Sequence, residues 1–198
     1  SIEVSSEAAA LNDLDLNFGP VQGGGSFTAN LGDSHNFNLT LTINRLDLDQ
    51  LLTGTVTDGE DHQKRSGNTA PPKPVLPKLP SIPKNIEGRI VITVDGMRYR
   101  GGVISQVQLD ASVENGILHL DRLGALLPGG SDLLLSGDTG SRDGTTRLKG
   151  RIELASNNLR SLLKWLNANP AQVPTGRLAN LVLTSEFAVN ATQAQITN

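Results

Sequence analysis

Apolar and polar residues alternate with a period of two along much of this chain. In "NFNLTLTI", Phe37, Leu39, Leu41 and Ile43 fall on one side, and Asn36, Asn38, Thr40 and Thr42 on the other. "RIVITV" groups Ile90, Ile92 and Val94. "VISQVQLDASV" sets Val103, Val107, Leu109, Ala111 and Val113 against Gln106, Gln108, Asp110 and Ser112. "TRLKGRIEL" sets Leu148, Ile152 and Leu154 against Arg147, Lys149, Arg151 and Glu153, and Leu181, Leu183, Phe187 and Val189 share a face near the end. This pattern predicts antiparallel strands with one dry and one wet face. Asp58-Gly59, Asp95-Gly96, Asn115-Gly116 and Asp143-Gly144 supply hairpin-turn dipeptides between them.

The helical period appears in two short places. Asn158 is an N-cap candidate, and Leu159, Leu162, Leu163 and Leu166 follow it at i, i+3, i+4 and i+7, with Pro170 as a stop. This predicts a helix near 158–168. A weaker Leu-x-x-Leu-Leu frame, Leu48, Leu51 and Leu52, predicts another near 46–52. The punctuation also echoes. Gly24-Gly25-Ser26 matches Gly129-Gly130-Ser131, and each match precedes strands and a short helix. Such an echo is the mark of stacked supersecondary units. The expected division is a degenerate first β repeat at 1–58, a Pro-rich flexible insertion at 59–85, and a second β repeat at 86–198 that includes the start of a following one. The insertion holds most of the ten prolines, which exclude it from a central strand. A PxxP ligand is the sharper reading of it, and a flexible linker the plainer one.

Composition narrows the function. Aromatic residues are 3% of the 198, so aliphatic side chains must carry the packing. The net charge of −3, with scattered Lys and Arg, argues against nucleic acid as a partner. Without cysteine there is no disulfide framework or thiolate chemistry. No apolar stretch approaches the ~18 residues of a membrane span. The abrupt start, "SIEVSSEAAA", reads as a piece excised from a longer protein.

Candidate chemistry is sparse. His35, His62 and His119 lack a second ligand at metal spacing, so no metal is expected. No G-x-S-x-G elbow accompanies the serines, and "PGGS" lacks the lysine and long helix of a phosphate loop. Asp13 and Asp15 fit the wet face opposite Leu14 and Leu16. Asp47 and Asp49 fit the start of the weaker helix. "DTGSRDG" lacks the closing glutamate of a calcium loop. The chain is therefore expected not to be an enzyme, with no catalytic residue and no cofactor. An envelope hydrolase is a distant third reading. What remains is a surplus of apolar strand face over helices able to cover it. Either the strands close on one another as a sandwich, or a curved sheet leaves an apolar trough open to a ligand. Aliphatic walls without aromatic platforms suit flexible acyl chains better than sugars.

The run from "MRYRGGVISQVQLDASVENGILHLDRLGALLPGGSDLLLSG" through "LKGRIELASNNLRSLLKWL" resembles the AsmA-like family of bacterial envelope proteins. The resemblance is carried by an ordered set over about 70 residues: Tyr99 to Gly102, the "ENG" hairpin, "L-x-L-x-x-L-x-A-x-L-P-G-G", a strand ending at Gly137, and a strand running into "N-L-R-x-L-L-x-W-L". It implies a mainly β fold: a curved, twisted antiparallel sheet forming a groove from repeated units, with one or two short amphipathic helices. It also implies a periplasmic segment of a protein held in a Gram-negative inner membrane by an anchor outside this chain. Such a segment would bind phospholipid or another acyl lipid and support lipid transport to, and homeostasis of, the outer membrane, with possible envelope protein partners. Joined to the alternation, this puts the lipid contacts on Ile90, Ile92, Val94, Val103, Val107, Leu109, Val113, Leu148, Ile152 and Leu154. Gly129 and Gly130 free the backbone at a sharp turn. Leu159, Leu162, Leu163 and Leu166 plug a groove edge or end, and Trp165 either packs at the rim, the favoured reading, or touches a membrane interface. The alternative is a non-catalytic assembly or scaffold module with a closed β-sandwich core.

Overall fold

A computed structural model describes residues 1–5, 7–32, 35–54, 82–142, 145–168, 179–190 and 194–197. The strands are β1 (Ile2–Val4), β2 (Ala8–Phe18), β3 (Val21–Asn30), β4 (His35–Asp47), β5 (Ile86–Tyr99), β6 (Gly102–Glu114), β7 (Ile117–Leu127), β8 (Ser131–Arg142), β9 (Thr145–Ser156), β10 (Leu181–Asn190) and β11 (Ala194–Thr197). Two seven-residue helices, α1 (Leu48–Gly54) and α2 (Leu159–Trp165), follow β4 and β9. All eleven strands form one sheet in sequence order. The fold is mainly β, with a curved sheet that does not close. β1 and β11 are its edges, and beyond α1 against β5 and marginal contacts each described strand packs only on its hydrogen-bonded neighbours. The closed sandwich is thereby overturned: no second sheet faces this one among the described residues.

One seam departs from the expected antiparallel order. β4 and β5 run parallel, from His35 opposite Ile86 to Asp47 opposite Arg98. A parallel pair needs a crossover rather than a hairpin. α1 begins that crossover, and Ile82–Asn85 complete it; most of the Pro-rich insertion, with His62 and Asp58-Gly59, lies outside the described residues. By contrast β9 and β10, which flank α2, are antiparallel.

The hairpin turns follow their local chemistry. Asn115-Gly116 (φ 52° and 77°) joins β6 to β7, as the sequence predicts. Arg100-Gly101 (φ 50° and 69°) makes the same kind of turn between β5 and β6. Here Asp49 of α1 supports the turn, its two carboxylate oxygens accepting the N–H of Arg100 (2.6 Å) and of Gly101 (2.9 Å). The Gly101 bond first, then the Arg100 bond, holds the Asp49 carboxyl below its ordinary pKa. A depressed carboxyl pKa adds stability above the unfolded-state value and loses it as pH falls through the folded value. Asp49→Asn is expected to lower the melting temperature at neutral pH, with the deficit shrinking below about pH 4. Melts of both proteins across an acid series read this directly.

Two glycine readings need correction. Gly24 and Gly25 do not form a turn, because they lie inside β3; the turn before that strand is Gly19-Pro20. Asp95-Gly96 likewise lies inside β5. Gly129 and Gly130 do sit in the β7–β8 turn, with φ of 86° and 65°. In-strand glycines serve the curvature instead. A Cβ at Gly25 would run into the Thr40 carbonyl oxygen and lie 2.8 Å from Leu41 Cδ2, and one at Gly150 would run into the Ser136 carbonyl oxygen. Bare backbone there lets the neighbouring strand close in on the apolar side, which becomes the inside of the bend.

Candidate functional site

Strand register lines up the apolar face in rows. One row crosses the sheet as Leu11, Phe27, Leu39, Ile90, Ala111 and Leu120, then Gly137, Gly150 and Phe187. The next crosses as Leu14, Gly25, Leu41, Ile92, Leu109, Leu123, Leu135 and Ile152. In a sandwich such residues would be sealed. Here, among the described residues, the buried hydrophobic side chains are Val21, Val94, Ile104, Ala111, Val113 and Leu162. Apart from Ala111, the rows themselves stay half-buried, shielded by their neighbours and by the bend. The result is an aliphatic trough, continuous from β2 to β10, with its floor accessible.

Most of the residues read from the sequence meet in this trough. Ile90, Ile92, Val107, Leu109, Leu148, Ile152 and Leu154 lie on it half-buried, and Val94 and Val113 are buried in its floor. Val103 does not belong with them. It is 64% exposed and pairs with Arg98 on the opposite face. The cause is a run of bulges. An extra residue in β4 shifts its register against β3 between Gln22 and Gly23, and Gln106 takes a φ of 53° where β6 slips against β7. Each bulge resets the alternation, so Ile104, 6% exposed and opposite Met97, takes the place expected of Val103. Sequence reasoning left out the β7 and β8 contributors Leu123, Leu133 and Leu135. The unbroken "LLL" at 133–135 hides the period of two, although register with Ile152 and Leu154 reveals it.

Helix α2 lies over one rim. Asn158 caps it, its side chain accepting the Ser161 N–H at 3.1 Å. Leu162 is 2% exposed, while Leu159 and Leu163 are half-buried. Leu166 is 48% exposed and does not plug anything. Asn167, with a φ of 59°, has ended the helix, and Pro170 lies outside the described residues. Trp165 makes the closing contact. Its Nε1 donates to the Tyr99 carbonyl at 2.9 Å, and its ring meets Tyr99 edge-on at 6.2 Å. Gly102 must stay bare beneath it, since a Cβ would come within 2.6 Å of the indole nitrogen and 2.8 Å of Pro128 Cγ. Trp165→Phe keeps a ring and loses one hydrogen bond. It is expected to cost about 1 kcal/mol, or roughly 2–4 °C in thermal unfolding.

The convex face carries ordinary charge pairs. Arg89 meets Asp110 at 2.6 Å, and Asp138 takes His119 Nδ1 at 2.6 Å and Lys149 at 3.3 Å. The His119 hydrogen bond is the main reason the Asp138 carboxyl lies below its usual pKa. Asp13 and Asp15 are exposed opposite Leu14 and Leu16. Among the described residues, no group of three or more His, Asp or Glu could hold a metal ion, and no helix is long and apolar enough to cross a membrane. Compared with protein-family models, curated proteins and solved structures, the chain finds no match.

Proposed function

We propose that this chain is a lipid-binding segment of a periplasmic conduit of the AsmA-like kind, holding phospholipid acyl chains against its trough while head groups stay in water. One observation carries the reading. Registered aliphatic rows cross almost the whole sheet, and no second layer covers them among the described residues. Apolar surface of that extent costs free energy in water unless something apolar occupies it. The rows offer branched aliphatic side chains and bare glycine backbone, with the aromatic rings Phe27, Phe37 and Phe187 set among them. Such a surface grips a flexible chain by area and shape without fixing its length or head group. No catalytic residue enters this function.

The test is native mass spectrometry of the purified chain, with organic extraction of the same sample and titration with a fluorescent fatty acid. Copurifying phospholipid above a matched soluble control, with saturable probe uptake, is expected. A clean apo mass with no uptake would sink the conduit reading and leave the scaffold role as the better account.

A further inference from the structure

The sheet has two rims, where strand tips and turns meet solvent, and they differ. Register places Phe18, Val21, Leu46, Met97 and Ile104, then Leu127, Ser131, Ser156 and Leu181, along one rim. Both helices lie at this rim, α1 bonded to the β5–β6 turn through Asp49 and α2 packed on Gly102 and Gly129. The rim also collects exposed apolar side chains: Phe18 at the tip of β2 (57%), Val103 after the β5–β6 turn (64%), Leu166 after α2 (48%) and Val182 at the start of β10 (83%). They rise from four separate elements.

Charge separates this rim from the rest of the molecule. The chain carries −3 overall. Yet the strand ends, turns and helices of this rim bring Arg45, Arg98, Arg100, Arg160 and Lys164, against the acids Asp47, Asp49 and Asp132. Hydrogen bonds from backbone N–H groups to Asp49 and Asp47 leave both carboxylates charged, so the excess of basic side chains rests on their number. The rim therefore shows positive charge beside exposed aliphatic and aromatic groups, with the amphipathic rings of Tyr99 and Trp165 at its centre. The opposite rim carries Glu7, Glu87 and Glu114 with Lys84 and Arg147 and shows no basic excess. Basic residues interleaved with apolar ones are the pattern that adsorbs to anionic membranes, where charge draws the surface in and apolar tips enter the headgroup region. A protein partner would more often meet a compact central apolar patch with a polar margin; here the apolar tips are spread along a rim.

We propose that the helix-bearing rim is a docking surface for an anionic phospholipid bilayer. The docking stands on the rim alone; its use, to bring acyl chains to the lip of the trough, rests on the lipid-binding reading. Flotation of the whole chain with vesicles of phosphatidylcholine alone, and with about one third phosphatidylglycerol, tests it. Binding is expected to the anionic vesicles only, weakening as salt rises. Each basic side chain near such a surface contributes roughly fivefold in affinity, so Arg98→Glu with Lys164→Glu is expected to weaken binding at least tenfold. Phe18→Ser with Leu166→Ser is expected to weaken it at every salt concentration, and Leu31→Ser with Ile117→Ser at the opposite rim to leave it unchanged. Fatty-acid uptake measured without vesicles keeps the two readings apart. Rim variants that lose vesicles but keep uptake support docking independently of the trough. No binding to anionic vesicles, or equal loss from variants at both rims, overturns the proposal.

Discussion

Gly150→Val is expected to destabilise this protein by about 3 kcal/mol, lowering its melting temperature by roughly 6–12 °C. Gly150 faces Gly137 across the β8–β9 pair, on the inside of the bend. Its new Cβ would meet the Ser136 carbonyl oxygen, with Phe187 Cζ 2.9 Å away and Gly137 Cα 3.0 Å away. The ring can swing, but a carbonyl and a neighbouring Cα move only with their strand. Valine has high β propensity, so a propensity argument predicts the opposite sign. Gly96→Ala separates the two effects. It lies in β5 with nothing within 4 Å of its Cβ position, and its melting temperature is expected to hold or rise slightly. A thermal melt of the three proteins decides between curvature and propensity.

Leu109→Asp is expected to reduce fatty-acid binding by at least about a hundredfold, the scale on which a charge in an apolar lipid environment is penalised. Leu109 sits mid-row, between Ile92 and Leu123, on the trough floor. An acyl chain lying there would have to desolvate the new carboxylate or leave. The next residue along, Gln108, points to the other face and is exposed. Gln108→Asp adds the same charge one position away and is expected to bind the probe like the parent. Equal binding by both variants would show that acyl chains do not use this face. Far-ultraviolet circular dichroism at the titration temperature confirms that both remain folded.

How far the sequence revealed this structure depended on whether the relevant physics was local. Alternation placed Ile90, Ile92, Leu109 and Ile152 correctly, because a strand with one dry face repeats every two residues. Asn115-Gly116 announced its turn, since few dipeptides accept two positive φ values. Asn158 announced α2 through a bond made three residues away. The bulges had no such signal. Nothing in glutamine marks position 106 for a positive φ, and that slip sent Val103 outward and Ile104 inward. The glycines at 24–25 and 129–130 look alike in sequence, yet one pair lies within a strand and the other makes a turn; the difference lies in the neighbouring strand. Leu166 fitted the helical stripe until Asn167 ended the helix. The parallel seam was hidden because it joins segments far apart in the chain. As for the trough as a site, its lining was legible and its openness was not, because both a sandwich and a groove need the same dry faces.

The order of the strands also sets how this protein can come apart. Because each strand is held almost wholly by the strands before and after it, cohesion passes from neighbour to neighbour, as in a zipper, rather than converging on a shared centre. Most of these joints close over a short turn and form quickly. The β4–β5 seam is different, bringing together His35 and Ile86 across roughly fifty residues of chain, which raises its closure entropy. Strands β1–β4 and β5–β9 can thus each assemble by local pairing, and the seam is the joint whose closure costs the most chain entropy.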